Sequence, residues 1–358
     1  MKYEQEVRNK IKEIHSISSD RMKEIEKEWE MRCKPIHSLG ELEKIVIQLG
    51  GIQGTVYPKV KKKAVIIMAG DHGVVEEGVS QTGKEVTRLV VESMTKGKSA
   101  VCVMAKNVNA QVFPVDIGME SDSQAEGIVY KKVAYGTKNF TKELAMTREQ
   151  CAKAILVGME VVKELSEQGY DCFAIGEMGI GNTTSVSAIC SAYFSQPVEE
   201  MTGKGAGLSK EGYDNKIKAI KKALELHQPQ KTDVLDLVSK IGGLELAGMI
   251  GCFLGGAYYK KGMIFDGIIS SLAAMLACKL CPTCKEYLFP SHCSKEPSAK
   301  LILEEIGLPS YFDLSMCMGE GTGAVMVFSL MEYALACYYE IPSFSENKIE
   351  QYVPFEDE

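Results

Sequence analysis

The stretch AVIIMAGDHG, residues 64–73, decides the fold class. Its first six residues are apolar without alternation, and it then turns to Gly70, Asp71 and His72. A short unbroken apolar run that ends in small and polar residues is typical of a buried strand leading into a loop. Three later segments show the same pattern, at residues 110–119, 172–184 and 262–271.

Stretches with helical spacing lie between these strands, at residues 85–104, 148–168 and 215–226. Strands that alternate with helices predict an α/β fold, in which a parallel sheet has helices on both faces. Ligands of such sheets bind beyond the carboxyl ends of the strands, where the polar loop residues would gather. The helical N-terminal stretch and a last apolar helix at residues 323–339 are expected to form a smaller second lobe.

The composition excludes several classes of protein. The chain has 358 residues, of which 45% are hydrophobic and 25% charged, and a net charge of −7. A nucleic-acid-binding protein needs a basic face instead. The N-terminal residues lack the apolar core of a signal peptide. Residues 241–259 include Glu245 and six glycines, so they predict a buried helix rather than a membrane span. We therefore expect a cytoplasmic protein with reduced cysteines and with no nucleic-acid or membrane partner.

Two glycine-rich loops have the composition of phosphate-binding loops. Residues 176–184, GEMGIGNTT, place glycines and a potential capping residue, Asn182 or Thr183, ahead of a helix whose N-terminus favours an anion. Residues 202–208, TGKGAGL, combine alternating glycines with Lys204, which suits a phosphate cradle. The first loop has neither the dinucleotide-binding nor the Walker spacing. A structural turn and a flexible surface loop therefore remain the alternatives.

Two acids and one histidine occupy loop positions that have two interpretations each. Glu320 lies between glycines in MGEGTG, residues 318–323, where its carboxylate either caps the next helix or points into a pocket. The pattern alone favours capping, and the same ambiguity applies to Glu177. For His72, after the first strand, a structural histidine that fixes the loop is favoured over a catalytic one.

Four cysteines have a spacing that superficially resembles a metal site. Cys278, Cys281, Cys284 and Cys293 form C-x2-C-x2-C-x8-C. The segment continues an apolar helix, SLAAMLACKL, in which cysteine behaves as a small buried hydrophobe. We therefore predict no metal site and no bound cofactor.

Eight motifs occur together, in this order, in one known family. They are AGDHGVVEEGVS (69–80), VDIGM (115–119), GEMGIGNTT (176–184), GKGAGL (203–208), IGGLELAGMIG (241–251), DGIISS (266–271), SHCSKEP (291–297) and MGEGTGA (318–324). On these motifs the chain resembles the nicotinate-nucleotide:dimethylbenzimidazole phosphoribosyltransferases over residues 40–345. The resemblance implies a Rossmann-like parallel sheet as a catalytic domain of residues 51–324. It also implies a small helical lobe built from residues 1–50 and 325–358.

The resemblance further implies a transferase of cobalamin biosynthesis. The ribose 5-phosphate of nicotinate mononucleotide would pass to a nitrogen of 5,6-dimethylbenzimidazole, giving α-ribazole 5′-phosphate and nicotinate with inversion at the anomeric carbon. The leaving group is already a pyridinium and departs with a neutral nitrogen, so no metal is needed to offset pyrophosphate charge. The incoming nitrogen becomes cationic, and a nearby carboxylate can take the other ring proton.

Motif by motif, the resemblance assigns roles to residues of this sequence. Glu320 matches the catalytic glutamate of the family, and Glu177 matches a second acid beside the acceptor. The phosphate-binding positions are Gly179, Gly181, Asn182, Thr183, Gly203, Gly205 and either Lys204 or Lys216, with Asp266 and Ser294 near the nucleotide. The acceptor-binding positions are Met178 and Met318, which would line a flat slot, together with Ser80, Thr82 and Leu89.

One segment departs from the family pattern. After GVS the family often has a small residue, Tyr and Pro, and a glutamine two residues after EVT. This chain instead reads SQTGKEVTRL over residues 80–89, with Leu89 at the position of the glutamine. An apolar pocket would suit phenol or p-cresol, so a paralogue that forms O-glycosides as one subunit of a heteromer is the first alternative.

A non-catalytic nucleotide-binding partner subunit is the second alternative, and the presence of both Glu177 and Glu320 weighs against it. An NAD-linked oxidoreductase fails because no forward GxGxxG follows a strand. The family is usually dimeric, so the resemblance implies a homodimer, or a heterodimer with a paralogue.

Overall fold

A parallel sheet of six strands forms the centre of the protein. The structure, a computed structural model, describes residues 2–205 and 207–352. The strands are β1 (Lys63–Gly70), β2 (Ala110–Gly118), β3 (Val129–Tyr130), β4 (Cys172–Met178), β5 (Gly262–Phe265) and β6 (Leu288–Phe289). Their order in the sheet is β3-β2-β1-β4-β5-β6, and every pair is parallel. The predicted parallel sheet is thereby confirmed.

Fourteen helices surround the sheet in the described part of the chain. They are α1 (Lys2–Ile11), α2 (Ser19–Met31), α3 (Glu41–Gln53), α4 (Glu85–Thr95), α5 (Ala100–Asn107), α6 (Arg148–Glu167), α7 (Asn182–Phe194), α8 (Val198–Met201), α9 (Lys210–His227), α10 (Val234–Ile241), α11 (Leu244–Tyr258), α12 (Ile268–Leu280), α13 (Ala299–Ile306) and α14 (Thr322–Glu340). Alternate side chains of β1 point to opposite faces of the sheet. Helix α11 packs against Met68, whereas Gly321 at the start of α14 lies beside Val65 and Ile67. Helices therefore cover both faces.

The helix predicted at residues 85–104 is in fact two helices. Helix α4 ends at Thr95, and Gly97 follows with a φ of +69°, a conformation that commonly terminates helices. Ser99 then caps α5 by accepting a hydrogen bond from the Cys102 N–H at 3.4 Å. Apolar residues continue on both sides of the break, which is why their spacing predicted one helix.

The glycine-rich stretch at residues 241–259 contains the buried helix α11, as predicted. Its residues 244–257 are all buried. A β-carbon on Gly158 of α6 would lie 1.9 Å from the Gly248 carbonyl oxygen, so only glycine permits this close helix contact. Across the described residues, no helix combines the length and hydropathy required to cross a bilayer.

Helices from the two ends of the chain pack together. Helix α14 contacts α3, and the rings of Trp29 in α2 and Tyr338 in α14 meet edge to face at 5.1 Å. The Tyr338 hydroxyl donates to the Val56 carbonyl oxygen at 3.1 Å. The lobe boundaries at residues 50 and 325 stay predictions, because α14 also packs against β4 and β5. Residues 353–358 of the predicted lobe lie outside the described residues.

The 12 cysteines are unpaired. Cys284, in the segment with the metal-like spacing, is fully buried, and its thiol donates to the Phe253 carbonyl oxygen at 3.4 Å. Among the side chains of residues 2–205 and 207–352, no cluster of three or more His, Cys, Asp or Glu could hold a metal ion.

Candidate active site

A cavity of about 300 Å³ opens beyond the carboxyl ends of β4 and β5. This is the position at which ligands bind to parallel sheets. Its polar lining residues are Glu177, Asn182, Thr183, Asp266, Ser270, His292, Ser294, Glu296 and Glu320. Its other lining residues are Met178, Gly179, Ile180, Gly205, Gly267, Ile268, Ile269, Cys317, Met318 and Gly319. Five segments that are separate in sequence therefore meet at one site.

The GEMGIGN loop turns tightly from β4 into α7. Gly181 has a φ of +98°, which glycine adopts without strain. A β-carbon on Gly179 would lie 2.3 Å from the Gly70 carbonyl oxygen, so the loop lies directly on the end of β1. The Ile180 N–H donates to the Thr87 hydroxyl at 3.1 Å. The loop is thereby fixed on the side away from the cavity.

Asn182 does not cap α7 through its side chain, although the sequence predicted that Asn182 or Thr183 could do so. Its amide instead donates a hydrogen bond to the Glu177 carboxyl group. The amide therefore orients an acidic group of the cavity rather than the start of the helix.

Glu177 is the last buried residue of β4 and holds a proton at neutral pH. Burial raises the pKa of Glu177 to about 8, and the carboxylates of Glu245 and Asp266 add to the rise, while the Glu320 N–H partly offsets it. A β-carbon on Gly319 would lie 2.8 Å from Glu177 Oε1. The Glu177 carboxyl group therefore lies against the loop that carries Glu320.

Glu320 is held in a left-handed conformation between two left-handed glycines. The φ angles of Gly319, Glu320 and Gly321 are +77°, +57° and +79°. Such a conformation is costly for a residue with a side chain and is concentrated at functional sites. Glu320 Oε2 is buried and has no hydrogen-bond partner among the described residues. Burial, together with Asp266, raises the pKa of Glu320.

Asp266, rather than Glu320, caps helix α14. Its carboxylate accepts hydrogen bonds from the N–H groups of Gly321 at 3.0 Å, Gly323 at 2.7 Å and Ala324 at 3.0 Å. The capping interpretation that the sequence favoured for Glu320 is therefore wrong. Asp266 lies 55 residues before Gly321 in the sequence. Because of this separation, no local sequence pattern could identify Asp266 as the cap.

Lys216 lies behind the second glycine loop and is fully buried. Its ammonium group donates to the Thr183 hydroxyl at 3.0 Å and to the Gly203 carbonyl oxygen at 3.2 Å. An ammonium group has three N–H donors, so one remains beside Thr183 and Gly205, which line the cavity. Burial lowers the pKa of Lys216 to about 8, although nearby Glu296 opposes this shift. Lys204, by contrast, is exposed.

The structure brings most of the predicted acceptor and nucleotide residues to the cavity, but not all of them. Met178, Met318 and Ser294 line it, with Met318 55% exposed at its mouth. Ser80 and Thr82 lie outside the lining, where the Ser80 hydroxyl accepts from the Thr82 N–H at 3.3 Å. Leu89 is 50% exposed on α4 and also lies outside the lining.

Three polar residues of the lining received no role from the sequence: Ser270, His292 and Glu296. The Ser270 hydroxyl donates to the Ile175 carbonyl oxygen at 2.8 Å. The buried His292 ring lies 3.2 Å from the Ser291 hydroxyl and 3.9 Å from Asp266, and it stacks on Phe312. Glu296 lies against Gly203. His292 and Glu296 occur in the SHCSKEP motif and Ser270 in the DGIISS motif, and these motifs were the signal that could have identified them.

His72 is a structural residue, as the sequence favoured. Its Nε2 lies 2.8 Å from Glu245 Oε1, and both side chains are buried. It does not line the cavity.

Beyond the parallel sheet, two buried carboxyl groups and a lysine-backed glycine loop converge on one cavity. A family model described as Phosphoribosyltransferase matches residues 14–349. The chain is thus a phosphoribosyltransferase.

Individual relatives identify the family within this class. The nicotinate-nucleotide–dimethylbenzimidazole phosphoribosyltransferase of Clostridium acetobutylicum is 44% identical over 97% of this chain and 99% of its own length. The enzyme of the same name from Ruminiclostridium cellulolyticum is 42% identical over 97% of this chain and 98% of its own. A crystal structure of CobT from Thermus thermophilus matches with a TM-score of 0.87 and 32% identity, covering 93% of this chain and all of that one. The chain belongs to the nicotinate-nucleotide–dimethylbenzimidazole phosphoribosyltransferase family.

Proposed function

We propose that this protein transfers the ribose 5-phosphate of nicotinate mononucleotide to 5,6-dimethylbenzimidazole, giving α-ribazole 5′-phosphate and nicotinate for cobamide assembly. The observation that carries this proposal is the convergence of Glu177 and Glu320 on one cavity, beside Lys216 and its glycine loops. The relatives named above are named for dimethylbenzimidazole, which favours that acceptor over a phenol.

The 5′-phosphate binds between the two glycine loops. Thr183, Gly205 and Ser294 line this end of the cavity. The remaining donor of Lys216 supplies positive charge from behind Thr183. The N-terminus of α7 adds the partial positive charge of a helix end. Of the two lysines that the sequence offered, Lys216 is the better candidate because it is buried next to the cavity, whereas Lys204 is exposed.

Glu320 is the catalytic base. An acceptor nitrogen attacks C1′ as the bond from C1′ to the pyridinium nitrogen breaks, and the pyridinium takes the bonding pair and leaves as nicotinate. The alkylated acceptor is now cationic and carries an N–H on its other nitrogen. Glu320 Oε2, which has no partner among the described residues, accepts that proton and leaves a neutral α-ribazole ring.

Glu177 supports the base by remaining protonated in the empty site. Burial raises the pKa of Glu177 to about 8, so its carboxyl group adds no negative charge beside Glu320 at neutral pH. Met178 and Met318 contact the flat faces of the acceptor, since polarisable sulfur suits aromatic rings. Ser80, Thr82 and Leu89 lie outside the cavity lining. They could contact only a part of the acceptor that extends beyond the cavity.

We place the enzyme in the cytoplasm and expect it to be a homodimer, with a heterodimer as the alternative. The 12 unpaired cysteines support a reducing compartment. Analytical ultracentrifugation of the purified chain, alone and with a co-expressed paralogue, distinguishes the two assemblies.

The test is an acceptor panel. Purified protein is incubated with nicotinate mononucleotide and one acceptor at a time, from benzimidazoles to phenol and p-cresol, and the nucleotide product is identified by mass. The proposal expects nicotinate release with dimethylbenzimidazole and a product of the mass of α-ribazole 5′-phosphate. Product from phenols alone would reassign the acceptor, and no nicotinate release with any acceptor would refute the proposal.

A further inference from the structure

His292 lines the cavity with a ring nitrogen that the proposed chemistry does not use. The residue follows β6, and its side chain is 2% exposed. Its Nδ1 lies 3.2 Å from the Ser291 hydroxyl, whereas its Nε2 makes no hydrogen bond with any described residue. Leaving a buried polar group without a partner costs free energy. The unused nitrogen beside a cavity therefore indicates a ligand.

Ser291 determines which ring nitrogen of His292 carries the hydrogen. Ser291 is fully buried, and His292 Nδ1 is the only hydrogen-bond partner of its hydroxyl among the described residues. If Nδ1 donated to this hydroxyl, the hydroxyl hydrogen would be buried without an acceptor. Asp266 Oδ1, at 3.9 Å from Nδ1, is too distant to accept from the ring. The hydroxyl therefore donates to Nδ1, which leaves the hydrogen on Nε2.

The neighbours of His292 hold its ring in this orientation. The ring stacks on Phe312 with the two planes 15° apart, and the Tyr311 N–H donates to the Ser291 carbonyl oxygen at 2.9 Å. A β-carbon on Gly323 would lie 2.2 Å from His292 Nδ1, so the first turn of α14 closes this edge of the ring. Nδ1 is thereby enclosed, and Nε2 is the nitrogen left for the cavity.

Gly267 leaves open the space next to Nε2. Its φ of −70° is one that any residue adopts, so the backbone does not require a glycine here. A β-carbon at this position would lie 3.6 Å from His292 Nε2 and 3.8 Å from the Ser294 β-carbon, which are ordinary contact distances. A side chain would therefore fit between His292 and Ser294, and its absence leaves a cradle for a ligand group.

The donors around this cradle favour an anion. Gly267 is the N-cap of α12, which no side chain caps, and the first turn of α12 lines the cavity. The free N–H groups of such a turn attract negative charge. The Ser294 hydroxyl accepts from the Glu296 N–H at 3.4 Å, so its own hydrogen is free to donate. Together with His292 Nε2, the cradle therefore offers donors from a helix end and two side chains.

We propose that His292 binds the 5′-phosphate of the nucleotide through Nε2, and that Ser291 is a positioning residue that keeps the ring hydrogen on Nε2. The assignment to phosphate rests on the proposed function, in which Ser294 lies at the phosphate end of the cavity. His292 and the start of α12 then form a second wall of the phosphate site, in addition to Lys216 and the start of α7. Two walls fix the ribose 5-phosphate while C1′ changes its bond from one ring nitrogen to the other.

Nuclear magnetic resonance of protein with isotope-labelled histidine tests both parts of the inference without turnover. The chain has 5 histidines, so the His292 signals are assigned by their absence in His292→Phe. Nitrogen–proton correlation spectra should show the hydrogen on Nε2 in wild type and on a mixture of both nitrogens in Ser291→Ala. Inorganic phosphate should shift the His292 Nε2 signal, and nicotinate should not.

His292→Phe also tests the role in binding, because it keeps a ring against Phe312 and removes both nitrogens. We expect KM for nicotinate mononucleotide to rise about 10-fold, the lower end of what a hydrogen bond to a charged group contributes. The value of kcat should change little, since a contact to the phosphate is made equally before and during the reaction. His292→Gln, whose amide N–H can replace Nε2–H, should restore most of the affinity.

His227→Phe is the matched control. The Nε2 of His227 lies 2.7 Å from the Phe140 carbonyl oxygen, and this residue does not line the cavity. A loss of stability alone would be shared by both Phe variants, whereas the rise in KM should occur only in His292→Phe.

The inference is overturned if inorganic phosphate leaves the His292 signals unchanged, or if the hydrogen lies on Nδ1 in wild type. A shift with nicotinate alone would also overturn it, because the leaving-group carboxylate would then occupy the cradle. If His292→Phe does not fold, His292→Gln assigns the signals and the wild-type titration still decides. A protein that releases no nicotinate but shows the phosphate shift would refute the proposed function and support the phosphate-binding role of His292.

Discussion

Glu320 and Glu177 are both acidic, and burial raises the pKa of each carboxyl group. Glu177 is confined at the end of β4 next to the carboxylates of Glu245 and Asp266, and burial is the main reason that its pKa rises to about 8. Glu320 lies in a loop, and its Oε2 has no hydrogen-bond partner among the residues that the structure describes. Glu177 therefore holds a proton at neutral pH, and the unpartnered Oε2 of Glu320 is the acceptor position that the described residues leave open.

The raised pKa of Glu177 predicts a pH-dependent stability. Between the ordinary carboxyl pKa and about 8, the folded protein holds a proton that the unfolded chain has released, so stability falls as pH rises. The slope is at most roughly 1.4 kcal/mol per pH unit. Glu177→Gln removes this contribution and should be increasingly more stable than wild type from pH 5 to pH 8. Urea unfolding at each pH measures the difference, and a difference that does not change with pH would contradict the assignment.

Lys216 should dominate phosphate binding. Lys216→Met fills the same buried space without charge, so the fold should persist, while KM for nicotinate mononucleotide should rise about 100-fold, since hydrogen bonds to charged groups contribute about 1.5–3 kcal/mol. Lys204→Met, at an exposed position, is the control and should change KM little. In wild type, affinity should fall above about pH 8, where the Lys216 ammonium loses its proton. A larger effect of Lys204→Met would place the phosphate on the outer part of the loop.

At the scale of elements, the first turn of α14 fixes the position of Glu320, the proposed base. Three N–H groups of this turn donate to the Asp266 carboxylate. One of the three donors, Gly321, is the residue that directly follows Glu320. The cap therefore joins the end of β5 to the loop that holds Glu320. Directly before this cap, Gly319, Glu320 and Gly321 lie in the left-handed region.

Asp266→Ala should accordingly lose both stability and activity. We expect a loss of roughly 2–4 kcal/mol in the free energy of unfolding, because three N–H groups lose a charged acceptor, and a lower kcat as Glu320 moves. Asp233→Ala is the control, since Asp233 caps α10 through the N–H groups of Leu235 and Asp236, and neither end of α10 lines the cavity. It should lose stability with kcat unchanged. Equal kcat in the two variants would show that the Asp266 cap does not position the base.

Local sequence predicted the elements better than it predicted their contacts. The unbroken apolar run of β1 and the glycines of α11 carry their own signal, so both elements were found. The two-residue strands β3 and β6 are too short for any periodicity to show. The pairing of His72 with Glu245 and the capping of α14 by Asp266 join distant parts of the chain. Only the folded sheet brings these residues together.

At the scale of the whole molecule, the cysteines differ in their exposure to solvent. Cys151, Cys172, Cys190 and Cys252 are fully buried, and burial raises the pKa of each thiol. Cys317 is exposed and lines the cavity. Because the thiolate is the reactive form, reactivity should differ sharply between these positions.

A thiol reagent should therefore modify Cys317 in the native protein and spare Cys151, Cys172, Cys190 and Cys252 until the protein unfolds. Nicotinate mononucleotide should slow the modification of Cys317, since both occupy the same cavity. Peptide mass analysis over time gives the rate at each site. Modification of Cys172 or Cys252 as fast as Cys317 would contradict the packing described above.

The rate of nicotinate release with nicotinate mononucleotide and dimethylbenzimidazole, compared between wild type and Glu320→Gln, tests the central claim most directly. The amide keeps the shape of the side chain but cannot accept the proton, so kcat should fall at least about 100-fold, the lower end of what a general base contributes. Near-normal turnover by Glu320→Gln would contradict the account and transfer the role of base to Glu177 or to solvent.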